Sequence, residues 1–255
     1  MDATARAFGY RRGVPGTLAL SATLAALLLA AAAIWSVRAA FRRARRRHGA
    51  DLLRQVNALN ELLGRLTLPG PLPPFGHGSG RPDFLLEVAR HALERRPSIV
   101  VECGSGLSTL VIARCLELNG TGRLWSLEHD ADFARFVRGE AARLGLERLA
   151  VLDAPLVATP LGDERWLWYE PSGLPDGPID MLVIDGPPGR VQPLARYPAG
   201  PILFPRLAAD AVVLVDDARR GKERRVLARW AREFPALARE VRGTARGLAI
   251  LTRGR

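Results

Sequence analysis

The sequence contains few of the residues on which several functional classes depend. Its 255 residues include two cysteines, Cys103 and Cys115, which excludes a disulfide framework and a zinc site built from cysteines alone. Aromatic residues make up 6% of the chain and form no interleaved platform of the kind that stacks on nucleic-acid bases. Apolar residues make up 48%, which is enough for a hydrophobic core, so the chain is not disordered as a whole.

Lysine is also scarce, since Lys222 is the only one and arginine supplies the other 36 of the 37 basic residues. Together with abundant alanine, glycine and proline, this composition indicates GC-rich coding rather than a function. The net charge of +11 is unevenly distributed. The first 50 residues contain nine arginines and one acidic residue, whereas the other 205 contain 28 basic and 25 acidic residues.

Residues 14–37 form a run of 24 residues without a charge, mostly leucine and alanine. As a helix, this run would be about 36 Å long, more than the roughly 30 Å of a bilayer's hydrocarbon core. We therefore predict one transmembrane helix over 14–37, between a short basic tail (1–13) and a basic juxtamembrane segment (38–50).

The rival interpretation of this run is a cleaved signal peptide, because arginines precede it and Ala31, Ala32 and Ala33 resemble a cleavage site. Six arginines follow the run within 38–47, and dense positive charge marks a cytoplasmic flank. This asymmetry favours a retained anchor in a bacterial inner membrane, with the C-terminal part facing the cytoplasm. The arginine cluster would also attract anionic headgroups.

Residues 51–82 are predicted to be an amphipathic helix and a linker. Leucine and valine recur at helical spacing from Leu52 to Leu66, which predicts a stripe that packs on the domain or on the membrane surface. The stripe consists of Leu52, Val56, Leu59, Leu63 and Leu66. Residues 67–82 are rich in proline and glycine and therefore form a linker, or a lid over a site.

Residues 83–255 alternate helical patterns with short apolar strands, which predicts a doubly wound α/β domain with a mostly parallel, Rossmann-like sheet of seven strands. Strands that are apolar throughout, such as 181–185 and 211–215, are those buried on both faces of a parallel sheet. The C-terminal stretch 239–252 predicts an antiparallel hairpin. The predicted strands before it are 98–102, 123–128, 149–153, 181–185 and 211–215, and the predicted helices are 83–95, 108–118, 131–144 and 221–233.

The most informative segment is 99–109, where an apolar strand runs through a Gly-Ser-Gly turn into a helix. Glycines in such a turn let the backbone approach a ligand at the carboxyl edge of the sheet, although a tight structural turn is the simpler explanation. Glu102 lies two residues before Gly104, where a carboxylate would repel a pyrophosphate but suit an ammonium group. Glu128 ends the next strand, where a carboxylate can accept both hydroxyls of a ribose. One such pair of acids fits S-adenosylmethionine better than NAD.

With these residues in view, residues 80–255 resemble the class I S-adenosylmethionine-dependent methyltransferases, in particular the O-methyltransferase-like branch with a Gly-Ser-Gly-x-Ser-Thr turn. Supporting blocks are Leu-Glu-His-Asp at 127–130, Ile-Asp-Gly-Pro-Pro-Gly at 184–189 and Val-Asp-Asp-Ala-Arg-Arg at 215–220. Ser108 stands where the family's turn often has a third glycine. The resemblance implies cofactor contacts from Glu102, Gly104, Ser105, Gly106, Ser108, Glu128, His129 and Asp153.

The resemblance also implies a second group of acids at neighbouring strand ends, namely Asp185, Asp216 and Asp217. Oxygen ligands of this kind suit a hard divalent cation such as Mg²⁺, which would lower the pKa of an acceptor hydroxyl. Asp217 stands where the metal-dependent enzymes often have asparagine, and no lysine follows Asp185 to act as a base. One alternative is therefore that Asp185 acts as a general base without a metal. The other is a purely structural role, in which these strand-end acids cap helices or pair with Arg219 and Arg220.

The loop after the fourth predicted strand holds Arg190, Arg196 and Tyr197, where this fold keeps substrate contacts. Either arginine could bind an acidic acceptor, and a solvated loop arginine is the alternative. His77 in the linker could reach the site as part of a lid, or lie on the surface. Trp166, Trp168 and Tyr169 could form an extra strand, with the tryptophans packed in the core.

Taken together, the sequence predicts a membrane-anchored methyltransferase that transfers a methyl group to a small-molecule, saccharide, phenolic or lipid-linked hydroxyl. Three alternatives stay open: a catalytically silent anchored scaffold, a nucleic-acid-binding methyltransferase and an NAD-dependent oxidoreductase. The nucleic-acid alternative would use residues 201–255, but their arginines from 219 to 232 fit the solvated face of one helix, so no nucleic-acid partner is expected.

Overall fold

The computed structural model describes residues 15–74, 76 and 80–253, without the side chains of 15–28, 30 and 47. The chain divides into two compact units, residues 1–52 and 53–255. Helix α1 spans Pro15–Leu66, so the segments predicted as an anchor, a juxtamembrane segment and an amphipathic helix are all helical from residue 15 onward. Tail residues 1–13, Val14 and His77 lie outside the described residues.

The transmembrane prediction is not supported. Within the part of the chain that the structure describes, no helix combines the length and the apolar character needed to cross a bilayer. Most of the predicted span, 14–28 and 30, consists of residues whose side chains lie outside this part. The predicted orientation and inner-membrane location depended on that span.

The end of α1 packs on the rest of the second unit through a face that partly matches the predicted stripe. Ala58, Leu62 and Leu66 are buried in the core together with Gln55, whereas Leu52, Val56 and Leu63 are exposed. Of the predicted stripe, Leu66 is buried and Leu59 is half-buried. Burial of Leu66 agrees with packing of the stripe on the domain, and the alternative of packing on a membrane surface is untested; the face in the core also includes Leu62 and Ala58.

The second unit contains a seven-stranded sheet. Its strands are β1 Ile99–Cys103, β2 Arg123–Glu128, β3 Leu149–Asp153, β6 Ile179–Ile184, β7 Leu207–Val215, β8 Leu237–Arg242 and β9 Leu248–Arg253. They lie in the order β3-β2-β1-β6-β7-β9-β8. The first five strands of this order pair in parallel, and β9 is antiparallel to both β7 and β8. The predicted Rossmann-like sheet with its C-terminal hairpin is confirmed.

Helices cover both faces of this sheet, so its central strands are apolar along their whole length. In β6, for example, Ile179 and all residues from Met181 to Ile184 are fully buried. The helices are α2 Pro82–Arg95, α3 Leu107–Asn119, α4 Ala131–Arg143, α5 Ala199–Leu203 and α6 Gly221–Glu233, and a 3₁₀ turn Phe204–Arg206 follows α5. One core cluster lies against α2, α3 and α4, and another lies against α5 and α6.

A separate two-stranded antiparallel hairpin, β4 Leu156–Leu161 and β5 Glu164–Tyr169, lies between β3 and β6 in sequence. The sequence predicted a strand near Trp166 but not its partner. Trp168 is buried as predicted, and Trp166 is half-buried, with its ring centroid 4.8 Å from that of Tyr197.

The strand order reverses direction between β1 and β6, because β1 continues to β2 on one side and β6 continues to β7 on the other. In open α/β sheets, ligands bind beyond the carboxyl ends of the strands at such a switch point. The fold therefore directs attention to the residues just after β1, β2 and β6.

Candidate active site

A cavity of about 420 Å³ opens at this switch point. Its volume falls within the usual range of small-molecule sites, about 300–1,000 Å³. The turn after β1, the end of β2 and the loop after β6 all contribute to its wall. Of the residues predicted to bind ligands, those that line it are Gly104, Ser105, Gly106, Ser108, Glu128, His129, Asp185 and Arg190.

Two glycines in the turn after β1 have different structural requirements. Gly104 has a φ of +92°, and a Cβ on it would lie 3.0 Å from the backbone of Gly186 in the loop after β6. Gly106 has an extended φ of 170°, and a Cβ on it would have open space around it. Gly104 is thus needed for close packing of the two loops, whereas Gly106 leaves the cavity wall bare for a ligand.

Glu102 lies beneath the turn rather than in the cavity. Its side chain is fully buried, and its Oε2 accepts hydrogen bonds from Thr109 Oγ1 at 2.6 Å and from Ser126 Oγ at 2.7 Å. Thr109 Oγ1 also accepts the Gly106 N–H at 2.8 Å. Burial raises the pKa of Glu102 to about 7, against hydrogen bonds that include one from Ser108. Glu102 therefore supports the turn through Thr109 and Ser126, and its predicted contact with a cofactor ammonium stays a prediction.

Glu128 does reach the cavity and is held in a fixed orientation. Its Oε2 accepts the Ser105 N–H at 3.0 Å, and its Oε1 accepts the Asp130 N–H at 2.9 Å. His129 Nδ1 lies 2.8 Å from Oε1. A carboxylate offers about four acceptor positions, so at least one remains for a ligand after the two backbone donors and His129 Nδ1 are counted. This arrangement suits a ligand with neighbouring hydroxyl groups.

Asp153 is not among the residues that line the cavity, and its place near an adenine stays a prediction. Its side chain is 56% exposed and binds Arg138 of α4, with Nη2 3.0 Å from Oδ1. Instead, the described wall beside Glu128 contains Phe133 and Phe136 of α4, whose rings stack 5.9 Å apart. The side chain of Asp130 caps α4 by accepting the Asp132 and Phe133 N–H groups, which fixes where the helix begins. The spacing of two phenylalanines by one helical turn was the available sequence signal.

The segment rich in proline and glycine, predicted as a linker or as a lid over a site, also contributes to the cavity wall. Pro73, Pro74, Gly76 and Gly80 line it. Gly80 packs on α2, since a Cβ there would contact the ring of Phe84.

Asp185, Asp216 and Asp217 come together as predicted. One carboxylate oxygen of each lies within 4.8 Å of the others. Asp185 follows β6, is partly exposed and lines the cavity, whereas Asp216 and Asp217 follow β7 and are buried. Burial raises the pKa of Asp185 to about 6, against the nearby Arg196 guanidinium, and raises that of Asp216 to about 8.

Arg196 and Tyr197 are buried and are not among the residues that line the cavity, so their role in substrate binding stays a prediction. Arg196 is buried, with Nη2 2.8 Å from Asp185 Oδ1 and 3.1 Å from Asp217 Oδ2. Tyr197 is buried against Arg229, whose guanidinium lies 3.7 Å from the ring centroid, and its hydroxyl donates to Glu233. Arg190 does line the cavity and is exposed. The sequence alone did not show that Arg196 would pair with Asp185 and Asp217.

Comparisons with known proteins agree with this arrangement. Residues 101–218 match a family model described as a methyltransferase domain. No curated protein matches the chain. The structure is similar to that of the SAH-bound methyltransferase PaMTH1 of Podospora anserina, with a TM-score of 0.53, 14% identity and coverage of 79% of this chain and 88% of that one. It is also similar to cofactor-bound Rv0187 from MTB, with a TM-score of 0.50, 20% identity and coverage of 80% and 89%.

The family match begins inside β1 and ends after Asp217, so it includes the glycine turn, Glu128, Asp185 and the two acids after β7. At these low identities the two structures establish the shared Rossmann-like fold of the second unit. The region that holds the cavity is therefore similar to methyltransferase domains in sequence as well as in fold.

Proposed function

We propose that residues 53–255 form an S-adenosylmethionine-dependent methyltransferase whose acceptor is a hydroxyl group. The observation that carries this proposal is that the bare turn at Gly106, the fixed carboxylate of Glu128 and the partly exposed carboxylate of Asp185 line one cavity. The first two form a nucleoside-binding wall, and the third is a proton acceptor on the adjacent strand end.

The cavity fits S-adenosylmethionine in the chemistry of its donors and acceptors. Glu128 offers its remaining acceptor capacity to the ribose hydroxyls, and Phe133 and Phe136 offer an aromatic surface to a base. Gly104, Ser105 and Gly106 allow the rest of the ligand to approach the backbone. A ribose-binding acid at the end of β2 would also suit NAD, so the choice of a sulfonium nucleoside rests on the match of residues 101–218 to a methyltransferase domain. The Podospora anserina protein was solved with SAH, which is consistent with this assignment.

When bound, S-adenosylmethionine supplies an electrophilic methyl group on its sulfonium. Asp185 would accept the proton of the acceptor hydroxyl, so that this oxygen could bond to the methyl carbon while the electron pair of the broken carbon–sulfur bond stays on sulfur, which gives S-adenosylhomocysteine. With a pKa near 6, this carboxylate is mostly ionised at neutral pH and still basic enough to take a proton. Such a base contributes about 10²- to 10⁴-fold to the rate. Positioning of the two reactants supplies much of the remainder.

The exposed guanidinium of Arg190 at the same cavity favours an acceptor with a negative charge, such as a carboxylate or a phosphate. The loop that carries it is fixed by Lys222, whose Nζ donates to the Gly189 carbonyl at 2.7 Å. We therefore propose an anionic small-molecule or saccharide hydroxyl compound as the acceptor class.

Isothermal titration calorimetry of the full chain with S-adenosylhomocysteine and, separately, with NAD tests the proposal. We expect saturable one-to-one binding of S-adenosylhomocysteine and no heat from NAD. Binding of NAD without binding of S-adenosylhomocysteine would refute the methyltransferase assignment. Binding of the nucleoside with no methyl transfer to any hydroxyl compound would favour the silent scaffold instead.

A further inference from the structure

The three acids predicted to hold a divalent cation already surround a cation supplied by the chain. The Arg196 side chain is 6% exposed, and its Nη2 lies 2.8 Å from Asp185 Oδ1 and 3.1 Å from Asp217 Oδ2. Its Nη1 donates to the Asp216 carbonyl at 2.7 Å, and Nη2 also donates to the Asp185 carbonyl at 2.5 Å. One guanidinium thus contacts all three residues.

Positive charge from the chain already lies at this cluster. Besides Arg196, Arg220 Nη1 lies 2.8 Å from Asp217 Oδ2, and Arg246 Nε lies 3.9 Å from Asp217 Oδ1. Arginine keeps its charge in proteins, so these three positive charges do not depend on pH. The negative charge of the cluster does depend on pH, because burial raises the pKa values of Asp185 and Asp216. A divalent cation would add two positive charges to a site that already holds three.

The coordination geometry of a metal is also blocked. Mg²⁺ requires near-octahedral oxygen ligands at about 2.0–2.1 Å. Here Nη2 of Arg196 lies between Asp185 Oδ1 and Asp217 Oδ2, so a cation could reach these two oxygens only by displacing the guanidinium. The residues present therefore do not fit a divalent cation, in contrast to the metal site that the resemblance to metal-dependent O-methyltransferases implied.

We propose that the Arg196 guanidinium takes the place of a divalent cation in this cluster, so that Asp185 works without a metal; the catalytic part of this statement rests on the proposed methyltransferase function. Arg196 is a positioning residue. It binds both the side chain and the carbonyl of Asp185, which fixes the direction of the carboxylate that lines the cavity. Its fork of donors does this with geometry that a lysine cannot reproduce.

Electron paramagnetic resonance of Mn²⁺ tests this inference without any turnover. Metal-free full-length protein is titrated with Mn²⁺, and the free-ion signal is compared among the wild type, Arg196→Met and Arg190→Met. The methionine keeps much of the side-chain length but removes the charge. We expect no binding at the cluster in the wild type and at least a ~100-fold gain in Mn²⁺ affinity in Arg196→Met, because the repelling charge is gone and three acids remain.

The control Arg190→Met removes an exposed arginine from the same loop and should gain nothing. Adding Asp185→Asn to Arg196→Met should abolish the gain, which assigns it to the cluster. Wild-type Mn²⁺ binding that is lost in Asp217→Asn would overturn the proposal, as would an Arg196→Met variant that folds, by circular dichroism, and gains no affinity. If Arg196→Met does not fold, the wild type and Asp217→Asn decide the question. Failure of S-adenosylhomocysteine binding would refute the methyltransferase function but leave this result unaffected.

Discussion

Replacement of Glu128 by glutamine should weaken nucleoside binding while the fold is kept. Glu128 accepts two backbone N–H groups, from Ser105 and Asp130, and presents its remaining acceptor positions to the cavity. The Glu128→Gln side chain has the same shape but one oxygen. Its NH₂ group must face either a backbone N–H or the ligand, and both are donors there.

The size of the effect follows from the hydrogen bonds that are lost. A hydrogen bond to a charged group contributes about 1.5–3 kcal/mol. If one such bond to a ribose hydroxyl is lost, the affinity for S-adenosylhomocysteine should fall about 10- to 150-fold. Glu128→Ala should lose more, because it also leaves the Ser105 and Asp130 N–H groups without their acceptor and loosens the turn.

Calorimetry of the full chain measures this loss, with Asp153→Asn as the matched control. Asp153 is also an acid at the end of a parallel strand, but it pairs with Arg138 outside the cavity lining. Its substitution should change the affinity less than about twofold, since surface substitutions of this kind are close to neutral. Equal losses in Glu128→Gln and Asp153→Asn would show that the nucleoside does not bind in this cavity, and the reasoning from its geometry would fail.

Three further predictions concern the turn and the acid cluster. Gly104→Ala should lower the free energy of unfolding, measured in urea, by about 1–3 kcal/mol, because Gly104 has a positive φ and a Cβ there would contact Gly186. Gly106→Ala should keep the stability and lower the affinity for the nucleoside. The opposite pattern would contradict the assigned roles. The pKa of Asp216 is raised to about 8 in the folded protein, so the folded state binds more protons than the unfolded state between about pH 4 and 8. The free energy of unfolding should therefore fall as pH rises through this range, by up to about 1.4 kcal/mol per pH unit. The Asp216→Asn substitution should flatten this slope. Methyl transfer should decrease about tenfold from pH 7 to pH 5 as Asp185 is protonated, and a flat profile would exclude it as the base.

The fold was predictable because its signals are local. Apolar runs such as Met181–Ile184 need burial on both faces, and this alone requires a parallel sheet covered by helices. The hairpin partner of β5 was missed because Leu156–Leu161 alternates weakly and contains a proline. The packing face of α1 was only partly predicted, because helical spacing fits both the row with Leu62 and Leu66 and the row with Leu52, Val56 and Leu63, and spacing alone does not show which row meets the core.

The sequence could predict which edge of the sheet each candidate site residue reaches, but not the direction of its side chain. The carboxyl ends of neighbouring parallel strands meet at one edge, which brought Glu128 and Asp185 into one cavity. Chain position does not determine which face of the sheet a strand-end side chain takes. Glu102 is buried and hydrogen-bonded to Thr109 and Ser126, and Asp153 pairs with Arg138 of α4. No sequence motif indicates these partners.

The pairing of Arg196 with the acids at the strand ends could have been predicted from charge balance, although comparison of motifs does not indicate it. Three acids at adjacent strand ends are costly to bury together unless protons or positive charges neutralise them, because an isolated buried carboxylate costs several kcal/mol. The raised pKa of Asp216 shows the first solution, and Arg196 beside Asp185 and Asp217 shows the second. A lysine-poor sequence supplies the positive charge with arginines, whose planar fork can contact several carboxylates and carbonyls at once. Charge balance at a predicted strand edge therefore favours a nearby arginine that reaches the acids, and the loop that follows Asp185 contains the arginine that does.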